Sequence, residues 1–154
     1  MINCVEFFSV EACVPDLQAT TRDAALEELV GAAIKGGVLP KGRKDQAFEG
    51  LIAREERGST GLGRGIAIPH AKIEGLRRHG GVIARSAEGV DFRAIDGEPV
   101  HAMVVLVSPE NRADEHLEML RFISTIARDP DFASFIRQAT TAEQIFEVLR
   151  ERTS

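Results

Sequence analysis

The chain has 154 residues, 44% hydrophobic and 28% charged, the balance of a globular protein that buries about two-thirds of its unfolded surface as one domain over 1–154. A net charge of −5 with scattered lysines and arginines excludes a basic face for nucleic acid and favours a basic protein partner. No apolar run reaches membrane-spanning length, residues 1–8 lack a signal-peptide layout, and Cys4 and Cys13 form neither a disulfide framework nor a zinc spacing; a cytoplasmic chain with reduced, structural thiols is expected.

Residues up to Leu17 are mixed and broken by Pro15, which leaves a short strand or an irregular lead-in. Thr20 or Thr21 then caps a helix whose apolar residues, Ala25, Leu26, Leu29, Val30, Ala33 and Ile34, recur at helical spacing until Gly36-Gly37 stops them. A second helix is predicted over 45–57, with Ala47, Phe48, Leu51 and Ile52 inward and Gly58 as its stop. Beyond a glycine-rich loop, Ile66-Ala67-Ile68 and Gly81-Val82-Ile83-Ala84 read as strands. The run 100–107, Val-His-Ala-Met-Val-Val-Leu-Val, reads as a strand covered on both faces, ended by Ser108-Pro109.

Helical spacing returns over 114–128, where His116, Leu120, Ile123 and Ala127 share a face flanked by Leu117 and Met119. Asp129-Pro130 suits an N-cap followed by a first-turn proline, and Thr140-x-x-Glu143 is a capping-box pattern before Ile145-Phe146-Val148-Leu149. Helices, then strands, then helices predict a layered α/β fold, a mixed central sheet of about five strands flanked by helices on both sides.

The chemistry concentrates at Gly65-Ile66-Ala67-Ile68-Pro69-His70. It sets one histidine after a short strand, where side chains leave the packed sheet. Arg54 lies 16 positions upstream in a late helical turn, and His116 lies 46 positions downstream near a helix start, where free N–H groups attract anions. A nucleophilic imidazole, a guanidinium suited to bidentate contact with phosphoryl oxygens and a second imidazole are the parts that accept and hold a phosphoryl group. Ser59 and Thr60 are candidate hydroxyl contacts for that group. Each residue also has an ordinary reading: a loop histidine, a solvated arginine favoured by the helix dipole, a core-edge histidine, hydroxyls that shape a turn.

His79, beside Arg77-Arg78 and Gly80-Gly81, reads as part of an exposed turn. His101 reaches either the sheet edge or its interior. No ligand pair at short spacing supports zinc on His70, His101 and His116. Gly61-x-Gly63-x-Gly65 is not a dinucleotide loop, because a strand follows it instead of preceding it and Ile66 stands at the wanted third glycine.

Taken together, Arg54-Glu55-Glu56-Arg57-Gly58-Ser59-Thr60-Gly61-x-Gly63-x-Gly65-Ile66-Ala67-Ile68-Pro69-His70 resembles the IIA proteins of the fructose/mannitol/nitrogen-regulatory class of the phosphoenolpyruvate-dependent sugar phosphotransferase system (EIIA type 2). The likeness continues through Phe92-Arg93-Ala94-Ile95-Asp96-Gly97-x-Pro99-Val100, Pro109 and His116-Leu117-x-x-Leu120. The resemblance implies a mixed five-stranded sheet between helices and a phosphohistidine carrier rather than a conventional turnover enzyme. It implies that His70 receives its group from the phosphocarrier protein HPr, with Arg54 and His116 steadying it, and that no metal or nucleotide cofactor is needed. The partners it implies are HPr and either a IIB domain, whose cysteine takes the group for sugar transport, or regulatory target proteins. Nucleic acid and direct membrane insertion are not implied. Gly58-Ser59-Thr60-Gly61 and Ala94-Ile95-Asp96 resemble the regulatory branch more, although Ala71 stands where some regulatory members have glycine.

Overall fold

The computed structural model describes residues 3–153. After two 3-10 turns (Cys4–Phe7 and Val10–Ala12) the chain runs through β1 (Cys13–Val14), α1 (Arg22–Lys35), a 3-10 turn (Lys41–Arg43), α2 (Lys44–Glu56), β2 (Gly61–Gly63), β3 (Ile66–Ala67), β4 (His70–Ile73), β5 (Gly80–Val90), β6 (Val100–Pro109), α3 (Ala113–Ala127), α4 (Pro130–Gln138) and α5 (Ala142–Thr153). The six strands form one mixed sheet of order β1-β5-β6-β3-β2, with β4 also on β6.

β3 and β4 are two pieces of one line. Ile66 pairs Ala102 and His70 pairs Leu106 with no change of register, so the break at Ile68-Pro69 costs nothing in alignment. Proline has no N–H to give the ladder, yet its carbonyl still accepts from Leu106 N at 3.0 Å. Counted by lines, the sheet matches the expected five; counted by segments it has six.

β6 is the centre. It is antiparallel to β5 on one side and parallel to β3 and β4 on the other. Its side chains alternate between two cores: Met103, Val105 and Val107 join Leu26, Leu29 and Leu51 beneath α1 and α2, while Ala102, Val104 and Leu106 join Met119, Ile123, Phe132 and Ile145 beneath α3 to α5. Both faces are covered, which is why the strand reads as an unbroken apolar run.

Several helix ends are built as the sequence dictates. Thr21 caps α1 by accepting from Ala24 N, and Asp129 caps α4, with Pro130 at its first position, by accepting from Asp131 N. The capping box of α5 lies one residue later than the Thr140-x-x-Glu143 reading: Thr141 accepts from Gln144 N at 3.1 Å, and the Gln144 side chain accepts from Thr140 N at 2.7 Å. Glutamine meets the geometric need as well as glutamate, so both registers fit the pattern.

Three sequence expectations change. The glycine-rich loop contains a strand, β2, hairpinned onto β3. His70 opens β4 instead of following a strand's end. His79 does not sit on an exposed turn: it is 2% exposed, immediately before β5, with Phe7 edge-on to its ring at 5.3 Å. The charged Arg77-Arg78 pair suggested solvent, but Arg78 lies over Phe7 and roofs the turn, so the histidine beneath is covered.

Candidate functional site

α2 packs against β4 at a point of small side chains. A Cβ built on Gly50 would stand 3.3 Å from Ala71 Cβ, so helix and strand approach closely there. One helical turn later on α2 comes Arg54, and one residue earlier on β4 comes His70. The guanidinium meets the imidazole: Arg54 Nε donates to His70 Nε2 at 3.2 Å. Its other arm donates to Gly58 O at 2.7 Å, across the turn that ends α2 at a glycine with φ of 144°. That second bond fixes the fork and points its Nε–H at the ring.

On the other side of the ring, His70 Nδ1 donates to Ile68 O at 2.8 Å. The carbonyl is an acceptor only, so the proton sits on Nδ1 and the lone pair on Nε2, the nitrogen that faces Arg54. Burial is the main cause that lowers the His70 pKa from its ordinary 6.5; the Ile68 carbonyl opposes this, and the charges of Arg54 and Arg57 add to it. The ring is therefore held neutral, with an available electron pair at neutral pH.

His116 comes from the opposite layer. Alternation along β4 and β6 turns His70 and Leu106 toward the face that α3 covers, and the His116 ring lies 5.6 Å from that of His70, tilted by 50°. His116 is 6% exposed; burial first, then His70, Lys72 and His79, pull its pKa down to about 4. Its backbone N–H already bonds Arg112 O at 3.0 Å, so this residue enters the site by its ring and not as a free helix-end donor. The structure thus brings Arg54, His70 and His116 together.

Ser59 and Thr60 are used differently from the expected phosphoryl contacts. Thr60 is buried and gives both its N–H and its hydroxyl to the Glu55 carboxylate, and Ser59 gives its hydroxyl to Phe92 O while accepting from Gly61 N at 2.9 Å. A hydroxyl has one proton, and each is committed to holding the loop. Gly61 is needed where it is: an added Cβ would meet Ala94 Cβ at 2.8 Å. Glu55, 3% exposed and bound only through its own loop, had no sequence signal beyond its place in the motif.

His101 is remote from this cluster. It stands five positions before Leu106 on β6, about 16 Å along an extended strand, and its Nδ1 bonds Ser86 O at 2.8 Å. Cys4 and Cys13 are buried free thiols; burial, with Glu118, raises the first to about 11, and burial, with Glu11 and Glu143, raises the second to about 12. Sequence reasoning also passed over Ser108, which is fully buried and bonds both His116 Nδ1 (2.6 Å) and His79 Nδ1 (2.7 Å).

The mixed α/β sheet between two helical layers is the fold of phosphotransferase-system IIA proteins, and on it a strand-borne imidazole with a fixed tautomer stands by a guanidinium and a second imidazole. Residues 6–152 match the family model for the phosphoenolpyruvate-dependent sugar phosphotransferase system, EIIA 2, and the chain belongs to that family. It is 40% identical over 149 residues to a nitrogen regulatory protein of Pseudomonas aeruginosa, covering 97% of this chain and 96% of that one. It is 37% identical over 139 residues to a nitrogen regulatory protein of Bradyrhizobium diazoefficiens (90% and 89% covered), and 32% identical over 131 residues to a fructose-specific EIIA component of Haloferax volcanii (85% and 84%). The crystal structure of nitrogen regulatory protein IIA-Ntr from Neisseria meningitidis superposes with a TM-score of 0.84 at 32% identity, covering 94% of this chain and 97% of that one. The mannitol IIA of Escherichia coli, solved in complex with phosphorylated mannitol IIB, shares the fold at 19% identity with a TM-score of 0.76 over 94% of this chain and 99% of that one. Among the described residues no helix is long and apolar enough to cross a membrane.

Proposed function

We propose that this chain is a cytoplasmic phosphohistidine carrier of the nitrogen-regulatory branch, taking a phosphoryl group from an HPr-type phosphocarrier onto Nε2 of His70 and signalling to target proteins through its phosphorylation state. The observation that carries this reading is the pairing of two bonds on one ring: Nδ1 tied to Ile68 O, and Nε2 facing the Arg54 guanidinium.

The step balances without a cofactor. The Nε2 lone pair of His70 attacks phosphorus on the donor's phosphoimidazole, the donor's P–N bond breaks, and its electron pair returns to the donor ring. The His70 ring, now substituted at both nitrogens, carries positive charge, and its Nδ1–H stays on the Ile68 carbonyl, which stabilises that charge. A cationic ring is a good leaving group, so the phosphoryl group keeps a high transfer potential. Arg54 Nε turns from the nitrogen to an equatorial oxygen of the incoming group, and His116 flanks the other side.

Support for the regulatory branch comes from 40% and 37% identity to nitrogen regulatory proteins over nearly the full chain, against 32% to a fructose-specific component. That last likeness favours one second reading, a sugar-specific IIA component that passes the group to a IIB cysteine. The test is incubation with phosphoenolpyruvate and the general phosphotransferase proteins, followed by mapping of the label. Label on His70 that does not pass to a IIB domain supports the regulatory carrier; rapid passage to a IIB cysteine supports the second reading; label elsewhere, or none, removes both.

A further inference from the structure

Behind His116 a line of hydrogen bonds leads away from the site and out to solvent. His116 Nδ1 bonds Ser108 Oγ at 2.6 Å, Ser108 Oγ bonds His79 Nδ1 at 2.7 Å, and His79 Nε2 bonds Glu115 Oε1 at 3.1 Å. His116, Ser108 and His79 are buried, whereas the Glu115 side chain is 47% exposed. The line starts and ends on neighbouring residues of α3 and crosses β6 and the residue just before β5 between them.

Its proton inventory has few solutions. The Glu115 carboxylate only accepts, so His79 Nε2 carries a proton. With both rings neutral, His79 Nδ1 is then an acceptor, the single Ser108 proton goes to it, and Ser108 accepts from His116 Nδ1–H. His116 is left with a lone pair at Nε2, the ring edge not turned to Ser108. A lone pair there repels phosphoryl oxygens. An added proton reverses the polarity of the whole line.

We propose that Ser108, His79 and Glu115 are positioning residues forming a proton relay that turns His116 from an acceptor into a hydrogen-bond donor toward the phosphoryl group on His70. The proposal rests on His70 being the phosphorylated residue. One solvent-derived proton binds His116 Nε2 and is donated to a phosphoryl oxygen. The His116 Nδ1 proton moves to Ser108 Oγ, and the Ser108 proton moves to His79 Nδ1. The positive charge comes to rest on His79, against Glu115. When the phosphoryl group leaves, the same proton returns to solvent and the line reverts.

The surroundings fit this direction of charge movement. His116 is faced by His70 and Lys72 from β4, by His79 from ahead of β5 and by Ser108 from β6, none of them an anion; burial among them is what pulls its pKa to about 4. His79 meets the Phe7 ring, which Arg78 covers, and the carboxylate of Glu115, which also has Arg112 at 3.8 Å. The sole carboxylate along the line is therefore at its outer end, beside His79.

Long-range ¹⁵N NMR of the histidines in the wild type and in Glu115→Gln and Ser108→Ala tests this, together with the pH profile of label uptake from the phosphorylated carrier. In the unphosphorylated wild type we expect His116 protonated at Nδ1 and His79 at Nε2; on phosphorylation His79 gains its second proton and the protein takes up one proton from buffer. Glu115→Gln, a change at a half-exposed position, keeps the label on His70 but shifts the profile about one unit to lower pH, roughly tenfold slower on its alkaline limb. Ser108→Ala does the same if it folds, and Glu115→Gln decides the matter if it does not. Label on His70 with unchanged profiles, no proton uptake or different starting tautomers overturns the relay alone. No label on His70 in the wild type overturns the carrier reading and the relay with it.

Discussion

Arg54 and His70 are separated by 16 positions in the chain, yet the guanidinium Nε stands 3.2 Å from the imidazole Nε2. The bond joins a donor that never loses its proton to the nitrogen that holds the ring's lone pair. Replacing Arg54 by alanine is expected to slow phosphoryl uptake about a hundredfold, the ~3 kcal/mol loss typical of one transition-state donor, while stability falls by about 1–2 kcal/mol with its two hydrogen bonds and the domain stays folded. Lysine restores the charge without the fork and recovers only part of the rate. Stopped labelling assays beside urea unfolding check both halves. Equal uptake by the alanine variant removes Arg54 from the mechanism.

The close approach at Gly50 and Ala71 is what brings those two groups within reach, with a Cβ at position 50 only 3.3 Å from Ala71 Cβ. Gly50→Val adds branched bulk at that contact, so α2 has to lift from β4. The expected result is a loss of about 1–3 kcal/mol and slower labelling in the fraction that stays folded. Full labelling rate in a folded Gly50→Val protein shows that the spacing is not critical.

The proton content of the site gives stability a definite slope. His116 in the folded chain titrates at about 4 against an ordinary 6.5, so between those values the unfolded chain binds more protons. Stability is therefore full above pH 6.5 and falls as pH drops toward 4, by up to about 3 kcal/mol from this residue. His70, lowered mainly by burial, acts in the same sense. Urea midpoints at pH 7.5, 6 and 4.5 should fall more steeply for the wild type than for His116→Gln. Parallel curves contradict the assignment.

Thr60 separates a loop-building role from a phosphoryl-contact role. Thr60→Val removes the hydroxyl from Glu55 and leaves a buried carboxylate short of a donor, an expected cost of about 1–3 kcal/mol, with labelling of the folded protein unchanged. Tenfold slower labelling at full stability returns Thr60 to the phosphoryl site.

The helices and the central strand were legible because they are written in periodicity: α1, α2 and α3 fall within one or two residues of their predicted bounds, and β6 reads as apolar because both of its faces are covered. The capping residues Thr21 and Asp129 were legible for the same local reason. The trio of Arg54, His70 and His116 stood out by residue type and by family pattern. What the sequence hid depends on contacts between distant segments. His79 looks exposed next to two arginines until Phe7 and Arg78 cover it. Ser108 looks like a strand terminator until two imidazoles from other elements close on its hydroxyl. Thr60 looks like a free donor until Glu55, five positions back on a helix, folds over it. The offset capping box was a true ambiguity of pattern, since Thr140 with Glu143 and Thr141 with Gln144 both fit.

The most direct measurement is ³¹P–¹⁵N NMR on protein carrying ¹⁵N-labelled histidine after incubation with the phosphorylated donor. Phosphorus is expected to couple to Nε2 of His70, with a proton still on Nδ1 held by the Ile68 carbonyl. Phosphorus on Nδ1 of His70, on another side chain, or nowhere contradicts it.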